Sequence, residues 1–386
     1  MADDLTLIAG GRSIAGWESV RVTRGIERMP SDFEVSMTER FPGELDFVVQ
    51  PGDTCQVLLG EDLVINGYVD RYIPSIDGNS HSISIQGRGR CADLVDCAAE
   101  WPGYQISGAD ALDVANKLCQ PYGIIAQFQY SGGLIVPRQF GGTLVTWYSQ
   151  FTPQELAILN KTLSVIPQFN LNPGETAFSV IEKICRFAAL LCYEDTGGNL
   201  ILSCIGSGNA ASGFVQGVNV QSARITYSQD QRYSEYQCIM QSMATLGDVG
   251  GQSIIPGKAV DDGVKRPRKK VMIAETSSTG IDPNYRAQWE MVRRWGRSYQ
   301  LNLVTDSWRD SAGNLYAPNT FADLSLPLLK CDKENWLISE VAYKLDESSG
   351  TTCELTIMPP AAFLLTRELL QPVFRDVPAN PGLAAK

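Results

Sequence analysis

Residues 19–37 read Ser-Val-Arg-Val-Thr-Arg-Gly-Ile-Glu-Arg-Met-Pro-Ser-Asp-Phe-Glu-Val-Ser-Met, and residues 222–240 read Ser-Ala-Arg-Ile-Thr-Tyr-Ser-Gln-Asp-Gln-Arg-Tyr-Ser-Glu-Tyr-Gln-Cys-Ile-Met. Laid together without a gap, Ser19, Arg21, Thr23, Ser31 and Met37 meet identical residues at Ser222, Arg224, Thr226, Ser234 and Met240. Val22 meets Ile225 and Phe33 meets Tyr236, so the apolar positions of two strands coincide as well. A second echo follows in the same order. Leu63-Val64-Ile65 leading to Val69-Asp70-Arg71-Tyr72 is matched by Trp336-Leu337-Ile338 leading to Val341-Ala342-Tyr343. Two matches in one order indicate duplication of a β unit, and a repeat changes the expected fold.

Both copies read as antiparallel β. Phe33, Val35 and Met37 alternate with polar neighbours, as do Val57 with Leu59 and Ile83 with Ile85. Turn residues fall between the strands at Gly60-Glu61, Asp77-Gly78 and Ser348-Ser349-Gly350. Short strands at this spacing predict a small barrel or sandwich in each copy. Helices concentrate between the copies. Ser107 is the expected cap of a helix carrying Leu112, Ala115 and Cys119 and stopped by Pro121 and Gly123. Thr152-Pro153-Gln154-Glu155 opens a second helix, and Asn172-Pro173-Gly174-Glu175 a third bearing Phe178, Ile181, Cys185 and Ala188. A hairpin is expected from Ala189–Tyr193 and Leu200–Cys204. Asp282 and Pro283 start a further helix with the stripe Tyr285, Trp289, Val292, Trp295 and Tyr299. Trp289 is expected in the core; Trp295 suits either core or interface.

The fold class is therefore mainly β with an α+β insertion: two related antiparallel β-barrel domains flanking a helix-containing middle region. The expected division is 1–100 for the first barrel, 101–222 for the α+β insertion, 223–362 for the second barrel with its helix, and 363–386 for a C-terminal helix and strap. Pro372, Pro378 and Pro381 prevent one continuous helix there.

Composition excludes several classes. Across 386 residues no apolar run approaches the ~18 needed to span a bilayer, and the acidic start Met1-Ala2-Asp3-Asp4 is no secretory signal. Ten scattered cysteines without a Cys-x-x-Cys pair read as small buried hydrophobes in a reducing compartment. Charge is uneven: residues 1–100 hold 8 Lys and Arg against 17 Asp and Glu, whereas residues 223–386 hold 19 of each. An acidic first domain does not neutralise phosphates, so ordinary DNA binding is not expected.

Three stretches carry a family resemblance. The run Gly87-Arg-Gly-Arg-Cys-Ala-Asp-Leu-Val-Asp-Cys-Ala-Ala-Glu-Trp101-Pro102 resembles the end of the first barrel in Mu-like phage baseplate central hub proteins. Ile166–Phe178, then Asp195-Thr-Gly-Gly-Asn-Leu200, is similar to their middle domain. Arg309–Asn319, Trp336-Leu-Ile338 and Met358-Pro-Pro360 resemble their second barrel. The family belongs to contractile tails and is related to the hub part of type VI secretion spike proteins. The resemblance implies a homotrimeric ring with quasi-sixfold symmetry, joining the sixfold tail tube or a tube-initiator protein to a threefold central spike, among other baseplate proteins. DNA would pass through the channel without specific binding, with no membrane insertion. The place implied is the virion tail baseplate, assembled in the bacterial host cytoplasm. The segment Ala126–Val165, with Trp147, Tyr148 and Phe151, is longer than the family pattern. A β-rich surface, receptor- or carbohydrate-binding tail module is the alternative.

Catalytic chemistry is not legible. His81, the one histidine, sits in a polar stretch, and one imidazole without paired cysteines makes no zinc set. Gly206-Ser-Gly-Asn-Ala-Ala211 and Gly87-Arg-Gly-Arg-Cys-Ala92 imitate a dinucleotide fingerprint but lack the βαβ context it needs. Asp261-Asp262, Glu39, Glu44 and Asp46 read as loop acids, and Lys265-Arg-Pro-Arg-Lys-Lys270 as a solvated basic loop. Asn160-Lys161-Thr162 is a sequon without meaning unless the chain is secreted. No catalytic residue, cofactor-binding residue, metal ligand or cofactor is expected.

Overall fold

The computed structural model describes residues 4–38, 49–78, 81–130, 133–135, 166, 168–241, 254–274 and 283–364. The first unit holds β1 (Leu5–Ala9), β2 (Arg12–Ile14), β3 (Ser19–Gly25), β4 (Asp32–Thr38), β5 (Thr54–Leu59), β6 (Asp62–Ile76) and β7 (His81–Gly89). Every neighbour pair in the order β3-β4-β7-β6-β5-β1-β2 is antiparallel. Side chains of a strand alternate between two faces, so Val20, Val22, Phe33, Val35, Val57, Leu59, Ile83 and Ile85 all fall on one buried face. Gly60, with φ of +62°, supplies the left-handed turn residue between β5 and β6.

The middle region contains α1 (Ala92–Asp96), β8 (Gln105–Ser107), α2 (Ala111–Cys119), β9 (Ala126–Tyr130), β10 (Gly133–Ile135), β11 (Gln168–Asn170), α3 (Ala177–Ala188), β12 (Leu191–Glu194) and β13 (Leu200–Ser203). The expected hairpin is β12–β13, and β9 joins β13 in parallel. Its own core packs Leu112, Ala115 and Cys119 of α2 against Ile181, Cys185 and Ala188 of α3. Two helix starts differ from expectation. Ser107 ends β8, and Asp110 caps α2, accepting from the N–H groups of Leu112 and Asp113. Asp113 reciprocates three positions on, which closes a capping box that Ser107 cannot form. Thr176, not Asn172, caps α3. The expected helix after Thr152 and the segment around Trp147 lie outside the described residues, as do Asp282 and the strap after Leu364.

The second unit begins with two short strands, β14 (Gly208–Asn209) and β15 (Phe214–Val215), then β16 (Ser222–Tyr227). A three-stranded sheet follows, β17 (Glu235–Gln241), β18 (Ile254–Val260) and β19 (Lys269–Ala274), covered by α4 (Pro283–Arg297). The unit is completed by β20 (Tyr299–Thr305), β21 (Thr320–Leu326), β22 (Cys331–Asp346) and β23 (Gly350–Met358). Its order, β16-β20-β23-β22-β21, repeats β3-β4-β7-β6-β5 strand for strand.

Irregularities confirm the repeat. β6 carries extra residues at Val64 and Asp70, where its pairings with β5 and β7 slip. β22 carries them at Lys333 and Ser339 against β21 and β23. The two pairs are equally spaced along their strands, so Val64 corresponds to Lys333 and Asp70 to Ser339. Bulges of this kind fix register. They also correct the expected correspondences. The match of Ser19–Thr23 to Ser222–Thr226 holds, since β3 and β16 are equivalent. Tyr236, however, is not the counterpart of Phe33. β17 belongs to the separate sheet, and Leu301 stands opposite Ile225 as Phe33 stands opposite Val22. The echo between β6 and β22 names the right strands with a register slip of three to four residues: Val69 corresponds to Ile338, not Val341. Local apolar alternation specifies a strand's face but not its neighbour.

The two units are one sheet. The second half of β22 pairs with β3, giving a continuous 14-stranded sheet over a shared core. Among the described residues this pairing closes neither unit on itself as a separate barrel.

Helix α4 differs from a uniform apolar stripe. Trp289 is buried, but Tyr285 is 56% and Trp295 40% exposed. The Trp289 indole N–H donates to the Leu364 carbonyl at 3.0 Å, and Arg286 stacks over its ring. Gly296 lies against the Ala361–Ala362 backbone, where an added Cβ would come within 2.2 Å of the Ala362 nitrogen. We expect Trp289→Ala to lower stability by about 3–5 kcal/mol, measured as a shifted denaturant midpoint, with solution mass unchanged.

Candidate assembly surface

The seam between the units is built as an apolar row edged by ion pairs. Across β3–β22, Val341 faces Arg24, Tyr343 faces Val22, and Leu345 faces Val20. Val20, Val22, Val341 and Tyr343 are buried in the common core. The Tyr343 hydroxyl donates to the Tyr316 carbonyl, and burial pushes its phenol pKa up. The neighbouring Trp308 indole N–H donates to the Lys344 and Thr352 carbonyls at 3.0 and 2.9 Å. On the outer face Arg21 bridges Asp32 at 2.8 Å and Glu34 at 3.3 Å, while Arg28 reaches Asp32 and Glu340. These charges are about a third exposed and contribute little beyond register. The buried row holds the seam.

A second contact locks the first unit to the middle region. Glu194, 3% exposed at the end of β12, accepts the Ser31 N–H at 2.8 Å and the Cys91 N–H at 2.9 Å. Its carboxylate lies where a Cβ on Gly89 would stand, so that glycine is what admits it. Burial pushes the Glu194 carboxyl up to about 7, opposed by those two N–H groups and by the nearby Arg24 guanidinium. The lock was missed in sequence, although an acid closing the otherwise apolar run Leu191-Cys192-Tyr193 is the signal that could have exposed it.

The motifs singled out earlier disperse. His81 begins β7 opposite Ile76. Gly206, at φ +80°, turns tightly against the Phe321 ring, and Gly208-Asn209 continues as β14 rather than a helix. Gly87 leaves space for the Phe33 ring. Asp261 is no surface acid: it forms a nearly buried ion pair with Arg232 at 2.9 Å. In the basic loop, Arg268 donates to the Gln229 and Asp230 carbonyls at 2.6 and 2.7 Å, and Lys269 pairs with Glu235 at 2.9 Å. That half of the cluster serves its own fold. Glu39, Glu44, Asp46 and Asn160 lie outside the described residues. Seven cysteines are buried and none forms a disulfide; burial pushes the Cys55 thiol up to about 12. Among the described residues no group of three or more His, Cys, Asp or Glu is placed to hold a metal, and no helix is long and apolar enough to cross a membrane.

The duplicated antiparallel unit, its seam and the helical middle region define a mainly β protein with an α+β insertion, and sequence comparison assigns its class. Residues 4–89 match the N-terminal family model described as Mu phage baseplate assembly protein GpP-like. Residues 91–138 and 155–204 match the second domain of baseplate hub protein gp44-like. Residues 279–366 match the fourth domain of Mu phage baseplate assembly protein GpP. The chain is 27% identical to baseplate hub protein gp44 of Escherichia phage Mu, over 100% of this chain and 95% of that protein. A 43 kDa tail protein of prophage MuSo2 from Shewanella oneidensis superposes with TM-score 0.77 at 25% identity, covering 94% of this chain and 100% of that one. A tail protein from Neisseria meningitidis gives TM-score 0.68 at 15% identity over 94% and 99% of the two chains. An E. coli type VI secretion component shares the fold at TM-score 0.52 and 9% identity, over 95% and 80%. The chain belongs to the Mu-like baseplate hub family: it is a structural component of the phage tail baseplate and not an enzyme.

The lock has a measurable pH signature. The folded-state pKa of Glu194 is raised from 4.5 to about 7, so the folded chain holds the proton more tightly than the unfolded chain. Its contribution is therefore most favourable below about 4.5 and is lost as pH rises through about 7. The shift corresponds to roughly 3 kcal/mol. Glu194→Gln should flatten the stability-against-pH curve across this window, while lowering stability throughout because an amide NH2 then faces a backbone donor. Denaturation midpoints measured from pH 4 to pH 8 test this.

Proposed function

We propose that three copies of this chain form a ring around a central channel, joining the sixfold tail tube to a threefold spike. The division into residues 1–100, 101–222, 223–362 and 363–386 is part of this proposal. The observation that carries it is the coincidence of both β-bulges in the two units, with Val64 and Asp70 matching Lys333 and Ser339. A chain with two equivalent units presents six similar faces as a trimer, which is what an adaptor between sixfold and threefold neighbours requires. Membership of the hub family supports the same arrangement, with the spike, the tube or its initiator, and other baseplate proteins as partners. The net charge of −9 on residues 1–100 suits a wall past which DNA moves without sticking.

Light scattering on the purified chain should return three times 42.2 kDa, alone or with its spike partner. A protein that stays at 42.2 kDa under both conditions and binds glycan instead would be a surface-binding module. Duplex DNA should show no retardation by the chain even at low ionic strength, where phosphate contacts are strongest.

A further inference from the structure

Helix α3 of the middle region and helix α4 of the second unit face each other across a gap. Phe178, Glu182 and Arg186 repeat at every fourth residue along α3, and Trp289, Arg293 and Arg297 do the same along α4. Both stripes line one cavity of about 580 Å³, closed on a third side by Ile26 of the β3–β4 connection and Leu191 of β12. Its floor is apolar, with Ile26, Leu191 and Trp289 all buried. Ions stand at its rim, where Glu182 pairs with Arg186 and Glu27 with Arg297.

The described residues end at this cavity. Arg297 Nε donates to the Ala362 carbonyl at 3.1 Å, and Trp289 Nε1 to the Leu364 carbonyl at 3.0 Å. Residues 362–364 therefore run along α4 against its direction. Phe363 is buried with Ile26 and Leu191, so its ring closes the inner end of the gap. The next side chain, Leu364, is left 38% exposed. The sequence then continues Leu365-Thr366-Arg367-Glu368-Leu369-Leu370-Gln371-Pro372. At about 3.6 residues per turn, Leu365, Leu369 and Leu370 share one side of a helix and Arg367 and Glu368 the other. Pro372 stops that helix.

We propose that residues 365–371 seat as a short helix in the cavity between α3 and α4 of their own chain. Leu365 and Leu369 meet the apolar floor, and Arg367 and Glu368 stand among the rim ions. The fit is one of direction, length and charge. Residues 362–364 already lead into the cavity along its α4 wall. Seven helical residues span about 10 Å, as does the part of α4 that precedes Trp289. The rim presents both signs, so Glu368 finds Arg186 or Arg293, and Arg367 finds Glu182 or Glu27. So short a helix is unstable alone in water, and its leucines need a surface to cover. Seated there, one segment touches the small turn of the first unit, the middle region and the enlarged turn of the second. The contact lies within one chain and does not depend on the ring.

Cys192 lines the cavity and is half-buried, while Cys204 is exposed outside it, so thiol alkylation reads the cover directly. Two variants are compared with the full-length chain: one truncated after Leu364, and full-length Leu369→Asp. Each is expected to raise the Cys192 alkylation rate about tenfold, the factor for a cover that is open about a tenth of the time. The Cys204 rate should not change. An unchanged Cys192 rate in both variants overturns the proposal. So does an equal rise at Cys204, which marks a general loosening and not an uncovered cavity. Oxidised full-length Leu369→Cys separates this chain's segment from a neighbour's. The introduced thiol is expected in a disulfide with Cys192 at monomer mass on a non-reducing gel. Ala379→Cys, beyond Pro372 and Pro378, is expected to give none. Linkage at higher mass seats the segment on a second copy and overturns the proposal, and equal linkage from Ala379→Cys shows an undocked tail and overturns it too.

Discussion

Everything in this architecture follows from two strands that are too long for their neighbours. β22 has 16 residues and β6 has 15, whereas β21 has 7 and β5 has 6. A backbone edge left unpaired must find other partners for its N–H and C=O groups or take them from water. For β22 the surplus half is taken by β3, which arrives from the other unit with its own buried row. The bulges at Lys333 and Ser339 permit this. Each re-aims the strand, so that one flank serves β21 and then β3 without breaking the ladder to β23.

The energetics of the seam rank clearly. Its ion pairs, such as Arg28 with Glu340 at 3.4 Å, are solvent-exposed and contribute about 0–1 kcal/mol each. Burying a side chain such as Val22 or Val341 contributes about 1.5–3 kcal/mol. The apolar row therefore supplies the attraction; Arg28 with Glu340 reaches across the seam, whereas Arg21 with Asp32 and Glu34 ties β3 to its own neighbour β4. Glu194 acts differently. A buried carboxylate with two N–H donors gives direction at a desolvation cost, which is why its proton affinity rises even though it is hydrogen-bonded.

Much of this was legible in the chain. Alternation at Phe33, Val35, Ile83 and Ile85 revealed the strands, and Leu112, Ala115 and Cys119 revealed a helix face, because these are local consequences of side-chain periodicity. The cap of α2 was misplaced since Ser107 and Asp110 are both competent oxygens. Only the reciprocal Asp113 distinguishes them. The gapless match of Phe33 to Tyr236 failed for a topological reason. In the first unit residues 26–31 connect β3 to β4; in the second, residues 228–298 occupy the same connection. Nothing in the alternation of β17 announces that its neighbours are β18 and β19. Glu194 was illegible for a related reason: its two donors lie 163 and 103 residues away.

That long connection is tolerated because the chain leaves and returns at one point. Tyr227 pairs with Tyr299, and the Ser228 N–H donates to the Ser298 carbonyl at 2.9 Å, so the β16–β20 hairpin is intact beneath the insertion. Loop-closure entropy grows only logarithmically, so the extra length costs little once the inserted residues fold on themselves. They do so around Tyr236, Cys238 and Ala287. The insertion then acts back on the whole. Gly296 lets α4 sit against Ala361–Ala362, Trp289 anchors Leu364, and Arg297 pairs with Glu27 in the short connection that the insertion replaces in the other unit. Two copies of one β unit have thus diverged at this turn, as they have where antiparallel β1 flanks β5 but parallel β14 and β15 flank β21, and the enlarged turn of the second now braces the small turn of the first.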